Sequence, residues 1–167
     1  MSHSIPPVAL RPVRDDDRDF LFGLYASTRA EELAPVPWTE EQKTGFLLHQ
    51  FNAQTSWWTE NYVGATFDVI EVEGERAGRL YVHRTPAVHA IVDIALLPRF
   101  RGRGLGTHLL EAVIAEAEGE SRSVRIHVEM MNPARRLYAR MGFVGIEDKG
   151  VYLLMERAPR APGPIAV

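Results

Sequence analysis

Apolar positions recur every three to four residues in four stretches of this chain. In seven shorter stretches they alternate with polar ones or run on without a break. Phe20, Leu21, Leu24 and Tyr25 share one face of a first helix. Asp15, Asp16 and Asp17 open it, and it runs to about Glu32, ahead of Pro35 and Pro37. Thr39-Glu-Glu-Gln42 is a capping box and starts a second helix through Phe46, Leu47, Gln50, Phe51 and Gln54. Trp57, Trp58 and Tyr62 follow without a clear assignment, and Trp57 and Trp58 do not both face the core of one regular element. Leu109, Leu110, Val113, Ile114 and Ala117 stripe a third helix, from about Thr107 to Glu118, with Gly119 as its stop. Asn132-Pro133 opens a fourth as N-cap and N1, and Gly142 closes it.

The strands fall between these helices. Val8–Val13 comes first, with Pro12 marking an edge position. Thr66–Val72 and Ala77–Arg84 form a hairpin around Glu73-Gly74-Glu75. Ile91–Leu97 is almost continuously apolar, which predicts burial on both faces. Val124–Glu129 alternates, and Phe143–Asp148 with Val151–Glu156 makes a second hairpin around Lys149-Gly150. The order β α α β β β α β α β β predicts an α/β fold, a mixed sheet of about seven strands with helices on both faces. One domain is expected over residues 1–157, with a frayed proline-rich tail over 158–167.

Composition narrows the chemistry more than the fold. The 167 residues suit one domain with its own core. A net charge of −3 without a basic block argues against nucleic acid as the main partner. With no cysteine, disulfides, thiolate metal sites and a cysteine nucleophile are excluded. The six histidines form no H-x-H or H-x-x-x-H pair, so no metal is expected. No apolar run reaches the ~20 residues that span a bilayer, and the N-terminus shows no signal-peptide core; no membrane partner and a cytoplasmic location are the expectation.

The most informative segment is Asp93-Ile-Ala-Leu-Leu-Pro-Arg-Phe-Arg-Gly-Arg-Gly-Leu-Gly-Thr107. It reads as strand, glycine turn, helix start. Such a helix N-terminus offers unpaired N–H groups and the positive end of a dipole, an anion site of the kind that holds phosphate. Arg101 and Arg103 add positive charge. A Walker loop would need Gly-Lys-Ser/Thr, and the turn has no lysine. A Rossmann turn laid from Gly104 would need its third glycine where Leu109 stands. A plain strand-to-helix turn without a ligand stays open beside these.

Arg101-x-x-Gly104-x-Gly106 resembles the acyl-CoA pyrophosphate loop of the GNAT superfamily of N-acetyltransferases. About 30 residues downstream, Ala134-Arg-Arg-Leu-Tyr138-Ala-Arg-Met-Gly142-Phe143 is similar to that family's second signature. The likeness covers about Val8–Arg157, and the element order fits it. It implies acetyl-CoA as co-substrate, in a V between the strand ending at Leu97 and the strand Val124–Glu129. The pantetheine arm would pair with backbone of Ile94, Ala95 and Leu96. Pyrophosphate would rest on the N–H groups of Gly102, Arg103, Gly104, Leu105, Gly106 and Thr107. An amine of a small molecule or peptide would attack the thioester directly in a ternary complex, and Tyr138 would protonate the leaving thiolate. A phenol, with an ordinary pKa of about 10, has that proton to give at neutral pH. Packing under the sheet is the plain alternative for Tyr138. Family members often carry asparagine three residues before the motif's alanine. Here Asn132 is two before Ala134, so its helix cap is set against a CoA contact.

The base is less defined. Asp93, Glu129 and His127 stand on the two central strands as candidates, and Asp93 reads equally as a satisfied carboxylate that fixes its strand. The resemblance places the acceptor wall at about Arg29–Tyr62. That stretch holds Glu31, Glu32, Trp38, Phe46, Phe51, Trp57, Trp58 and Tyr62. Aromatics beside acids suit a cationic amine, whereas Phe46 and Phe51 at helical spacing read as core. The rival readings are a non-catalytic acyl-CoA-binding module and a nucleotide-binding regulator. A homodimer stays open.

Overall fold

In the computed structural model, residues 4–160 are described. The tail expected to fray lies, beyond residue 160, outside them. Seven strands form one mixed sheet in the order β1-β2-β3-β4-β5-β7-β6. They are β1 (Val8–Pro12), β2 (Thr66–Val72), β3 (Glu75–Arg84), β4 (Val88–Leu96), β5 (Ser123–Glu129), β6 (Val144–Asp148) and β7 (Tyr152–Arg157). Four helices accompany them: α1 (Arg18–Leu33), α2 (Glu40–Asn61), α3 (Leu105–Gly119) and α4 (Ala134–Arg140). The chain divides into two compact units. One holds the chain up to Tyr81 with Asp93–Gly106; the other holds Val82–Val92 and the chain from Thr107 on.

In the first unit β1 pairs antiparallel with β2, Val8 opposite Val72 and Pro12 opposite Asp68, at the edge where its proline costs no ladder bond. The three aspartates form a single 3-10 turn, Asp15–Asp17, ahead of α1. Asp17 is fully buried there. It takes both ends of the Arg11 fork at 2.8 Å, the Arg14 N–H at 2.8 Å, and Arg76 at 3.3 Å. The acids thus join an edge strand to a helix rather than simply facing a helix dipole. Thr39 and Gln42 make the predicted capping box at the head of α2. α2 then runs unbroken through Trp57 and Trp58 to Asn61, the segment left unassigned above. Its inward stripe is Leu47, Phe51, Gln54 and Trp58, spaced four, three and four. Leu47 and Phe51 pack with Leu21, Leu24 and Tyr25 of α1, and Ala95 and Leu97 lie against this cluster.

Phe46 corrects one expectation. It is exposed and packs edge-on against Trp38, because it lies a hundred degrees around α2 from the Leu47 stripe.

In the second unit β4 pairs parallel with β5 over Val88–Ile91 and Ser123–Ile126. β7 lies antiparallel between β5 and β6, with an irregularity at Gly145/Glu147. β5 alternates as expected: Val124, Ile126 and Val128 are buried, Arg125 and His127 exposed. β4 departs from expectation. Only His89 and Ile91 are buried, and Val92–Leu96 stay half-buried. An apolar run reports hydrophobicity and not what covers it, so burial on both faces does not follow from it. Among the described residues no helix is long and apolar enough to cross a membrane.

Candidate active site

The glycine turn belongs to the first unit. After β4, Pro98–Phe100 form one 3-10 turn, and α3 begins at Leu105, two residues earlier than the periodicity predicts. Gly102 and Gly104 take φ of 72° and 79°, the left-handed region in which side chains are strained. Gly106 is already helical. A Cβ at any of the three would meet nothing within 4 Å, so this backbone faces open space. The N–H groups of Gly102, Arg103 and Gly104 find no backbone acceptor among the described residues outside regular elements. Consecutive free amides at a helix start, with left-handed residues between them, form an anion-binding concavity. The residues therefore fit a pyrophosphate group.

Three side chains of the turn do more than the motif implies. The Arg101 Nε donates to the Leu96 carbonyl at 2.8 Å and its Nη2 to Ser27 Oγ at 3.4 Å, which ties the turn to β4 and α1. Arg101 thus takes one of two lone pairs on a carbonyl expected to face the pantetheine arm. The Arg103 guanidinium lies 5.9 Å from the Phe100 ring centre. Leu105 is 1% exposed and anchors the first turn of α3 in the core.

β4 carries the candidate base. Asp93 is bound through Oδ2 to the Arg79 Nε at 2.6 Å. The Arg79 side chain is 4% exposed and that of Asp93 28%. The Arg79 guanidinium lies 4.9 Å from the Trp58 ring centre and 5.2 Å from that of Tyr81, and its Nη2 reaches Gln54 Oε1 at 3.4 Å. Asp93 is thus a partnered carboxylate with one oxygen held. Arg79 is a partner of the candidate base that sequence reasoning missed. A cation between Gly78 and Leu80 in a strand was the available signal, but alternation alone gives it to solvent.

The aromatic residues of the acceptor stretch separate. Trp57 is exposed against Tyr62, and Glu32 pairs with Arg29. Phe51 and Trp58 turn inward, and both line a cavity of about 800 Å³ in the first unit. Leu21, Phe67, Asp68 and Tyr81 line it too, from elements outside the predicted stretch. Tyr81 touches Phe67 and Trp58 edge-on, ring centres 4.9 and 5.6 Å away, and burial pushes its phenol above the ordinary value. The Trp58 and Tyr81 rings thus already have a cation at hand, the protein's own Arg79.

The second unit holds Thr107, Glu129, Asn132 and Tyr138. α4 ends in a Schellman motif: Phe143 N–H donates to the Tyr138 carbonyl at 3.0 Å and Gly142 N–H to that of Ala139 at 3.1 Å. Gly142, at φ 96°, makes the left-handed turn, and the Tyr138 and Phe143 rings pack 6.0 Å apart. The A-x-x-L-Y-x-x-x-G-F spacing is therefore a helix stop that fixes a buried tyrosine. Asn132 Oδ1 accepts from Ala134 N–H at 2.9 Å, but α4 begins at Ala134 with Pro133 in the cap position, one residue later than the Asn-Pro pair predicts. Glu129 is half-buried at the end of β5, opposite Tyr152 of β7. His127 is opposite Leu154; partial desolvation of its exposed ring, and then the Lys149 charge, hold it below the usual histidine value. Among the described residues no three His, Asp or Glu side chains are grouped to hold a metal ion.

The chain is similar to known proteins. The model of the GNAT acetyltransferase family matches residues 27–143, which takes in both the glycine turn and Tyr138. A mycothiol acetyltransferase of Acidothermus cellulolyticus is 38% identical over 93 residues, 55% of this chain and 27% of that protein. The chain thus matches about a quarter of that relative's length. Among solved structures, the PaiA N-acetyltransferase of Thermoplasma acidophilum in complex with coenzyme A aligns with a TM-score of 0.68. It is 16% identical, over 91% of this chain and 99% of that one. An acetyltransferase from Thermus thermophilus aligns with a TM-score of 0.65 at 20% identity, over 92% and 98%. These likenesses show the fold, and the family match over most of the chain shows the family: this chain belongs to the GNAT acetyltransferase family.

Proposed function

We propose that the chain transfers an acetyl group from acetyl-CoA to a primary amine, by direct attack in a ternary complex. The observation that carries this is the glycine turn, where left-handed Gly102 and Gly104 leave consecutive amides open at the start of α3. CoA pyrophosphate would rest on Gly102–Thr107, and the pantetheine arm would pair with the backbone of Ile94, Ala95 and Leu96 as an added strand does. When bound, acetyl-CoA supplies the thioester. A backbone N–H of β4 would serve its oxyanion, since a fixed donor is worth most where charge develops. Tyr138 is the proposed proton donor to the leaving thiolate, and Asp93 or Glu129 receives the proton of the amine. Asn132 supports the start of α4, where its Oδ1 accepts from the Ala134 N–H. The coenzyme A bound by the PaiA relative and the acetyl transfer named for the mycothiol relative support the choice of donor. The latter match covers too little of that protein to bring its acceptor with it.

Calorimetry with acetyl-CoA, followed by release of free CoA thiol over a panel of primary amines, tests this. Binding and amine-dependent thiol release are expected; no binding of acetyl-CoA would sink the proposal. We read residues up to 157 as one domain, because β3, β4 and α3 each run through both units. A single calorimetric unfolding transition is the expected result, and two resolved transitions would refute it.

A further inference from the structure

The cavity of the first unit has no part in the acetyl-transfer reading so far. At about 800 Å³ it is the size of a small-molecule site, with an aromatic floor of Phe51, Trp58, Phe67 and Tyr81. Cations occupy the neighbourhood of that floor already. Arg79 lies against Trp58 and Tyr81, and Arg18 lies 5.5 Å from the Phe51 ring centre while donating to Asn52. The wall itself carries Arg14 and Arg18 with Asp15 and Asp68, two charges of each sign, so it offers a second cation no net attraction, and the rings are already met by Arg79. A neutral aromatic or branched apolar group needs none, and it gains from burial. The same Arg79 that meets the two rings holds Oδ2 of Asp93 and leaves Oδ1 as the oxygen without that clamp. Keeping a guanidinium dry costs more than an apolar pair of that volume would, so stability alone is a weak reason for this residue.

We propose that this cavity binds the neutral aromatic or branched apolar body of the acceptor, and that Arg79 is a positioning residue that fixes Asp93 to receive the amine nitrogen. This rests on the acetyl-transfer reading and names its substrate class: a primary amine on an apolar body, not a polyamine.

Two measurements test it. The first compares kcat/KM for phenethylamine, ethylamine and spermidine in the wild type, in Thr59→Trp at the cavity wall, and in Arg79→Lys. Phenethylamine should lead both others by about tenfold or more, the scale at which an apolar recess discriminates. Thr59→Trp should bring that ratio toward one. Arg79→Lys keeps the charge but loses the planar fork; it should raise KM for the amine and leave the acetyl-CoA Kd unchanged. A merely structural Arg79 would lower the melting temperature without moving KM. The second measurement needs no turnover: phenethyl alcohol, which lacks the amine, is titrated while the Trp58 indole N–H resonance is followed. A saturable shift, lost in Thr59→Trp, is expected. A spermidine preference, an unchanged ratio in Thr59→Trp, or an indole resonance that does not move would each overturn the proposal. If acetyl-CoA binds and no amine is turned over, the acetyl-transfer reading fails, while the alcohol titration still decides the cavity.

Discussion

Gly78 is the position where the smallest change should do the most harm. A Cβ there would lie 2.1 Å from the Ala95 carbonyl oxygen and 3.0 Å from Leu96 Cα, both backbone atoms of β4. Real Cβ contacts essentially stop at 3.0 Å, so in Gly78→Ala the β4 backbone must retreat by about 0.9 Å. No flexible side chain can absorb this. Overpacking of that kind costs about 1–3 kcal/mol, and a backbone obstacle belongs at the upper end. For a chain of this length each kcal/mol is worth about 2–4 °C, so a fall in Tm of about 4–12 °C is expected by calorimetry. The displaced atoms are those proposed to pair with the pantetheine arm. A shift near 1 Å at a reacting centre costs about 10²-fold, and kcat/KM for acetyl-CoA should fall by that order in the protein that remains folded. Gly23→Ala in α1 is the matched control. Its Cβ meets nothing within 4 Å, so it should gain helix propensity, about 0.5–1 kcal/mol, and leave kinetics unchanged. A Gly78→Ala protein that melts with the wild type and keeps its kcat/KM would refute both the close approach and the placing of the cofactor arm.

Three further outcomes are expected. Gly104→Val has open space for its side chain but not the backbone for it, at φ 79°; calorimetry should show an acetyl-CoA Kd weaker by about tenfold or more, since each 1.4 kcal/mol of left-handed strain or lost contact is tenfold. Tyr138→Phe keeps the ring that packs on Phe143 and loses only the hydroxyl, so kcat should drop by about 10²-fold or more with the acetyl-CoA Kd unchanged; full kcat would leave Tyr138 a packing role alone. The Arg11 fork, then the Arg14 N–H and Arg76, holds the Asp17 carboxyl well below the usual carboxylate range. The unfolded chain therefore binds the proton first. The stabilisation is complete above about pH 4–5 and is lost as pH falls through the unfolded value toward the folded one. Asp17→Asn should flatten this acid limb of the stability curve below about pH 5 and lower stability at pH 7; an unchanged limb would remove Asp17 from the account.

Helices and hairpins were legible because their signals are local. The Thr39/Gln42 box, the Gly142 stop and the Glu73-Gly74 turn are each set by a few neighbouring residues, and each is found where the pattern puts it, while the start after Asn132-Pro133 is one residue out. Errors sit where a property depends on a distant element. Phe46 and Phe51 are equally apolar, and only the orientation of α2 against α1 decides that Phe51 is buried. The apolar run of β4 foretells a strand but not its half-buried state. The aspartates before α1 read as dipole partners, yet Asp17 is tied down by Arg11 and Arg76 from two strands.

The site divides by the same rule. The glycine turn is proposed to bind through backbone, and its left-handed geometry at Gly102 and Gly104 is written in glycine spacing, so the turn itself was readable. Tyr138 was readable because the Gly142-Phe143 stop that fixes it lies within five residues. Arg79 was not. Its meaning comes from Gln54 and Trp58 on α2, Tyr81 on its own strand and Asp93 on the next, and no short window contains them. In β3 alternation alone gives Arg79 to solvent, yet Trp58 and Gln54 of α2 meet it. A buried cation held by two aromatic rings and one carboxylate is a tertiary object. That is why a glycine turn, with the cofactor role proposed for it, is legible from sequence alone, while a cluster such as that of Arg79 has to be built from contacts.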